Sequence, residues 1–183
     1  AVPVFVDIRE DTLNLDEKLI QEALTEKTRA IVPVHYAGVS CDMDEICAVA
    51  KEKSVLVIED AAQALFSSYK GKMLGTIGDF GAYSFHATKN IISGEGGALS
   101  VNDSDYFEIA EQIREKGTDR NQYLKGEIDK YTWQSLGSSY LPSEIVTAFL
   151  LAQLKNANKI QEERQKLWKF YFSSTALIEE KGL

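Results

Sequence analysis

Residues 28–60 read TRAIVPVHYAGVSCDMDEICAVAKEKSVLVIED, and the fold is decided there. Thr28 to Val34 is a continuous apolar run, the pattern expected of a strand buried on both faces. Asp42-Met43-Asp44-Glu45 then has the spacing of a capping box, an acidic N-cap with Glu three residues on. The helix it opens carries Met43, Ile46, Cys47 and Ala50 at i, i+3, i+4 and i+7, one helical face. Val55 to Ile58 is the next buried strand, ending in Glu59-Asp60. Strand, helix and strand in this order imply a parallel sheet with right-handed crossovers. Ligands of open α/β sheets sit beyond the carboxyl ends of the strands. That rule singles out Asp60 and the His35-Tyr36 pair.

Working outward, Val2 to Val6 is β-branched and aromatic and is expected as a further strand, and Asp16 to Leu24 as a helix with Leu19, Ile20, Ala23 and Leu24 on one face. Downstream, glycines at 71, 75, 78 and 81 punctuate a loop-rich passage. Phe80 to Phe85 and Ala98 to Val101 read as strands, and Ser104 as the cap of a helix reaching Glu115. Residues 117–141 are polar and irregular. Ser143 opens one long helical stretch to about Ile178, with Val146, Phe149, Leu150, Leu154, Ala157 and Ile160 at helical spacing. Such a stripe reads as core, with subunit contact as the lesser reading.

The 183 residues suit one domain with a sizeable core, and the net charge of −8 argues against nucleic acid or an anionic membrane as a general partner. The two cysteines, Cys41 and Cys47, form no CxxC and no disulfide framework, so a reducing cytoplasm is the expected setting. With His35 and His86 they match no recognised zinc spacing. No apolar run approaches the roughly 18 residues that cross a bilayer. The glycines spell neither the phosphate loop of nucleotide triphosphatases nor the dinucleotide fingerprint. The chain starts without Met, already in strand-like residues, and Glu179-Glu180-Lys181-Gly182-Leu183 reads as the end of a helix. It is expected to be an excerpt of a longer protein.

The stretch Tyr83-Ser84-Phe85-His86-Ala87-Thr88-Lys89-Asn90, followed by Gly94-Glu95-Gly96-Gly97, sets a lysine among apolar and hydroxyl side chains. Desolvation in such a place favours the neutral, nucleophilic amine that Schiff-base chemistry needs. Taken alone, Lys89 also reads as a surface lysine, and Ser84 and Thr88 as local backbone caps. Asp60 ends a strand and precedes Ala61-Ala62-Gln63. It can hold a proton on a heteroaromatic nitrogen through a charge-assisted hydrogen bond, or simply be the N-cap of a helix that follows the strand.

Together Glu59-Asp60-Ala61-Ala62-Gln63, Ser84-Phe85-His86-Ala87-Thr88-Lys89-Asn90 and Gly94-Glu95-Gly96-Gly97 resemble the pyridoxal-phosphate sugar aminotransferases of the DegT/StrS type. The resemblance runs from Pro3-Val4-Phe5-Val6-Asp7-Ile8 to Ala152-Gln153-Leu154. It implies an α/β fold, a three-layer, mostly parallel sheet with helices on both faces, as in the large domain of fold-type I pyridoxal-phosphate transferases. Residues 1–160 would be part of that domain, and 161–183 a helix leading toward a small C-terminal domain outside this chain.

The resemblance also implies the roles. Lys89 would carry the Schiff base to pyridoxal 5′-phosphate and shuttle the proton. Asp60 would keep the pyridine nitrogen protonated, Gln63 would contact the ring hydroxyl, and Ser84 the phosphate. Ser139 lies in Gly137-Ser138-Ser139-Tyr140-Leu141, where many relatives have G-Y-N-Y-R. That Asn reaches the cofactor phosphate of the partner in a homodimer. Some relatives exchange the lysine for histidine and deoxygenate their sugar, so Lys89 favours amino transfer. The implied reaction takes the amino group of L-glutamate to the 4-keto carbon of a dTDP-4-keto-6-deoxyhexose, in surface-glycan (enterobacterial common antigen) biosynthesis. Other ketosugars, a dehydratase of the same family, or a non-catalytic α/β module are the alternatives. The family's Gly-Thr phosphate loop and ring-stacking aromatic would precede Ala1, so this chain alone is expected to bind the cofactor poorly and to be inactive.

Overall fold

The computed structural model describes residues 1–179, so the sequence reading of Glu180 to Leu183 as a helix end lies outside the described residues. Val2 to Val6 forms no strand. Val2 and Phe5 are about nine-tenths exposed, and the first pairing is an isolated bridge between Ile8 and Leu15. β propensity needs a ladder partner and a face to bury, and this run has neither among the described residues. Asp16 accepts from the Lys18 amide and starts a 3-10 turn, Glu17–Leu19, that passes into helix α1, Ile20–Ala23.

Strand β1 is only Ala30–Ile31, because Pro33 has no N–H to donate and breaks the ladder. Helix α2, Met43–Lys53, starts where expected: Asp42 accepts from the Glu45 amide at 3.4 Å, and Ser54 closes the helix in the left-handed region. Strand β2, Leu56–Asp60, lies parallel to β1. Next, β3, Ser68–Tyr69, and β4, Lys72–Met73, form a small antiparallel hairpin turned by Lys70 and Gly71, both at positive φ. Strands β5, Phe80–Ser84, and β6, Gly97–Val101, complete a four-stranded sheet of order β1-β2-β5-β6. The first two pairings are parallel and the last is antiparallel. The chain is therefore an α/β protein with a mostly parallel sheet.

One face of that sheet is closed by α2. Met43 and Ile46 are fully buried and pack with Ile20, Ile31, Ala50 and Val57. Each large side chain buried this way stabilises the fold by roughly 1.5–3 kcal/mol. The opposite face differs from the expectation of strands buried on both sides. There Val32 and Leu99 are more than half exposed. Burial thus alternates along β2, with Val57 and Glu59 inside.

Beyond β6, Asp103 rather than Ser104 caps the following turn, accepting from the Asp105 amide, because its side chain sits at the residue where the backbone is still extended. Helix α3, Phe107–Arg114, follows, then α4, Arg120–Leu124, inside the region expected to be irregular. That region is tied down by buried Asp119, whose two oxygens accept from the Thr132 amide and the Gln134 side chain at 2.6 Å each. The long C-terminal helix is two helices. α5, Glu144–Lys155, is capped by Ser143, and α6, Ala157–Glu179, begins after Asn156, which leaves helical geometry and bonds back to the Ala152 carbonyl. The apolar stripe is core only around this break, where Ala157 is buried with Leu150 and Ile160 beside it. Phe149 and Leu154 are over two-fifths exposed. Among the described residues no helix is long and apolar enough to cross a membrane.

Candidate active site

The end of β2 carries two consecutive carboxylates that, by strand alternation, point to opposite faces. Asp60 is on the open face. Its backbone N–H donates to the Pro33 carbonyl at 2.8 Å and its carbonyl accepts from the His35 N–H at 3.1 Å. Its Oδ1 accepts from the Ala62 amide at 3.0 Å, while Oδ2 has no partner among the described residues. Asp60 is thus a turn cap with one oxygen and available with the other. It caps no helix, since none begins there.

The loop between β5 and β6 carries the lysine. Phe85 and Ile91 are buried against Ala157, Leu150 and Ile160 at the α5–α6 break, which anchors the loop at both ends of its turn. Within it the Ala87 amide donates to the Gly94 carbonyl and the Lys89 amide to the His86 carbonyl, both at 2.9 Å. The His86 ring accepts the Thr88 amide at Nδ1. Lys89 is half-buried, and its ammonium is in no ion pair among the described residues.

Lys89, Ser84, Thr88, Gln63 and Ala37 line a single open cavity of about 380 Å³. Asp60 opens into an adjoining cavity of about 350 Å³ that shares Ala62 and Ser84 with the first, so the two form one trough along the strand ends. Gln63 Oε1 accepts the Ala37 amide at 2.6 Å, which fixes the side-chain amide with its NH2 as the unused end. Ser84 Oγ accepts from the His86 amide at 3.3 Å and keeps its O–H to donate. An uncommitted amine, a free carboxylate oxygen, an amide donor and hydroxyl donors are the groups that an aldehyde, a ring nitrogen, a ring oxygen and a phosphate call for. The residues present fit pyridoxal phosphate. Ser139 is not brought to this trough. It is exposed and lies in a bridge with Glu115.

A second polar set lies behind the sheet: Glu59, which the sequence reading left without a role, and His35, which it singled out by position. Glu59 and His35 are both fully buried and bonded at 2.9 Å. Glu59 also accepts three backbone amides, from Gly75, Ile77 and Gly78, at 2.6–2.7 Å. Burial by itself opposes its charge, but the His35 bond and these amides outweigh burial and hold the carboxyl below its ordinary range. His35 Nδ1 accepts the Cys41 amide at 3.2 Å, so the ring is the Nε2–H tautomer, donating to Glu59. Cys41 is buried, and burial pushes its thiol up to about 12. The available signal was the run of two carboxylates at a strand end, one of which alternation must turn inward.

The protein matches the model described as "DegT/DnrJ/EryC1/StrS aminotransferase family" over residues 1–182. It is 37% identical to GDP-perosamine synthase of Caulobacter vibrioides, over 97% of this chain and 46% of that one. The crystal structure of an aminotransferase from Psychrobacter cryohalolentis superposes with a TM-score of 0.89 at 34% identity, covering 100% of this chain and 47% of the other. The sugar aminotransferase Spr1654 of Streptococcus pneumoniae, in its PLP form, gives 0.83 at 29% identity, over 96% and 48%. The chain spans about half the length of the curated relatives it matches. With the family model matched over residues 1–182 and the fold shared with the Psychrobacter aminotransferase, this chain belongs to the DegT/DnrJ/EryC1/StrS aminotransferase family.

Proposed function

We propose that this chain supplies the cofactor-binding part of a sugar-nucleotide aminotransferase. The observation that carries the reading is the pair of adjoining cavities, one lined by Lys89 and Gln63 and the other by Asp60, with Ser84 common to both. Pyridoxal phosphate, when bound, supplies an electron sink that lets a bond at the nitrogen-bearing carbon ionise. The side chains do the rest. Asp60 Oδ2 would accept the N–H of a protonated ring nitrogen, and the charge-assisted bond would keep that proton in place. Gln63 would donate its NH2 to the ring oxygen, and the Ser84 hydroxyl would donate to the phosphate. Lys89 would hold the group through its Nζ, and the same amine would serve to move a proton at the substrate carbon. Two half-reactions on one site give ping-pong kinetics.

On the family resemblance, the donor is L-glutamate and the acceptor dTDP-4-keto-6-deoxyglucose. The product is dTDP-4-amino-4,6-dideoxygalactose for a surface glycan, with enterobacterial common antigen as the pathway. The name of the Caulobacter relative favours a GDP-linked ketosugar as the second acceptor to try. The protein would work in the cytoplasm as a homodimer in which Ser139 faces the partner's cofactor phosphate. The half-exposed Phe149 and Leu154 on α5 support such a contact. Residues 1–160 would belong to the large domain and 161–183 lead toward a small one, the latter stretch beginning within α6.

The test is glutamate-dependent amination of the two nucleotide ketosugars by the full-length protein, with Lys89→Ala beside it. Wild-type turnover and a loss on the order of 10³-fold or more in the variant are expected, since one nucleophile is removed outright. Undiminished turnover in Lys89→Ala would sink the reading.

A further inference from the structure

We propose that the buried pair His35–Glu59 positions Asp60, the two acting from the covered face of the sheet on a carboxylate that works on the open face. The proposal rests on the reading that Asp60 meets the cofactor's ring nitrogen. Its basis is a closed set of contacts. Asp60 is gripped by its backbone N–H and C=O, and both partners, Pro33 and His35, belong to one three-residue segment. That segment is itself held by the His35 ring, whose Nε2–H donates to Glu59 and whose Nδ1 accepts the Cys41 amide. Glu59 in turn is fastened to the 75–78 turn by three amide bonds. Cys41 Sγ also donates to the Val34 carbonyl at 3.2 Å and Asn14 Oδ1 accepts the Tyr36 amide at 2.9 Å, but among the described residues Glu59 is the one side chain bonded to the His35 ring, so this pair fixes the end of the segment that grips Asp60.

A 1 Å error in placing a group at a reacting centre costs on the order of 10²-fold, and outer groups that orient a ligand are worth roughly 10–100-fold in affinity. His35→Leu removes the donor and is expected to weaken cofactor binding to the apo protein by about 10-fold or more. It should also lower kcat while leaving the KM for glutamate within about 2-fold, because the pair is buried on the covered face and out of reach of a substrate.

The decisive comparison is a double-mutant cycle with Asp60→Asn in the full-length protein. Cofactor affinity is read by absorbance titration without substrate, and backbone placement by hydrogen exchange at the Asp60 amide. The expected result is a loss from His35→Leu in the wild-type background that falls below about 2-fold in the Asp60→Asn background, with faster exchange at residue 60 in both. Equal losses in the two backgrounds would make the pair a plain structural support and overturn the proposal. So would the absence of any loss in the wild-type background. If Asp60→Asn itself binds the cofactor as well as wild type, the cofactor reading of Asp60 falls and the proposal with it, a result distinct from the other two. Should His35→Leu not fold, His35→Asn, whose amide is too short to span the contact, is run in the same backgrounds under the same criteria.

Discussion

Adding one methyl group at Gly81 tests the packing behind the site most directly. A Cβ at Gly81 would lie 2.0 Å from the Gly75 carbonyl oxygen and 2.5–2.6 Å from the Gly75 Cα and carbonyl carbon, all backbone atoms. Real Cβ contacts essentially never fall below 3.0 Å, so the turn at residue 75 must retreat by about 1 Å. It is not free to do so. The Gly75, Ile77 and Gly78 amides bind Glu59 at 2.6–2.7 Å, and the Tyr83 hydroxyl holds the Leu74 carbonyl at 2.6 Å. Hydrogen bonds to a charged acceptor contribute roughly 1.5–3 kcal/mol each, and losing one or two of them gives about 4 kcal/mol for Gly81→Ala. That is a large part of a typical stability of about 5–15 kcal/mol. In a full-length protein about twice the size of this chain it lowers Tm by roughly 5 °C. The control is Gly71→Ala, where nothing lies within 4 Å but φ is +83°. Its penalty is conformational only, about 1 kcal/mol. Both are measured by thermal and urea unfolding of the cofactor-free full-length protein. Equal midpoints for the two variants, or a Gly81→Ala midpoint within about 2 °C of wild type, would refute the reasoning.

Two further outcomes follow from ionisable groups behind the sheet. Glu59 titrates below its ordinary 4.5 in the fold, so its contribution is complete above that value and drains away as pH falls through the folded value. Urea midpoints between pH 6 and 3 should therefore fall for the wild type and fall less steeply for Glu59→Gln; parallel slopes would contradict the assignment. Cys41, raised from 9.0 to about 12, holds about a thousandth of the usual thiolate at pH 8. Alkylation followed by peptide mapping should label it only on unfolding, and prompt labelling of the native protein would disprove its burial.

Local signals made α2 and β2 legible. Asp42 is a cap in the sequence and in the structure, and the spacing of Met43, Ile46 and Ala50 is the spacing of the buried face. Val2 to Val6 misled because a strand is a property of two segments, and composition reveals only one. The helix break at Asn156 escaped for a different reason. Asn is a weak terminator without Gly or Pro beside it, and what makes Ala157 a start is its burial against Phe85 and Ile91, far away in sequence. In the site, Lys89, Asp60 and Gln63 were readable as a motif, whereas the role of Glu59 was not. A fully buried carboxylate is tolerable only with donors, and three of its four come from the 75–78 turn, whose amides leave no trace in residue type.

The side-by-side carboxylates of β2 also make the strand self-checking. Because side chains alternate with a period of two, a slip of one residue against β1 or β5 would exchange the faces of Glu59 and Asp60. Glu59 would then stand over the open trough with its four donors stranded, and Asp60 would enter the core beneath α2 with no donor set arranged for it. A buried carboxylate without partners costs several kcal/mol, enough to remove the slipped register from the folded population. The charge that fixes the alignment and the charge offered to the ligand are neighbours in the chain, so a molecule that has folded in register has already aimed Asp60.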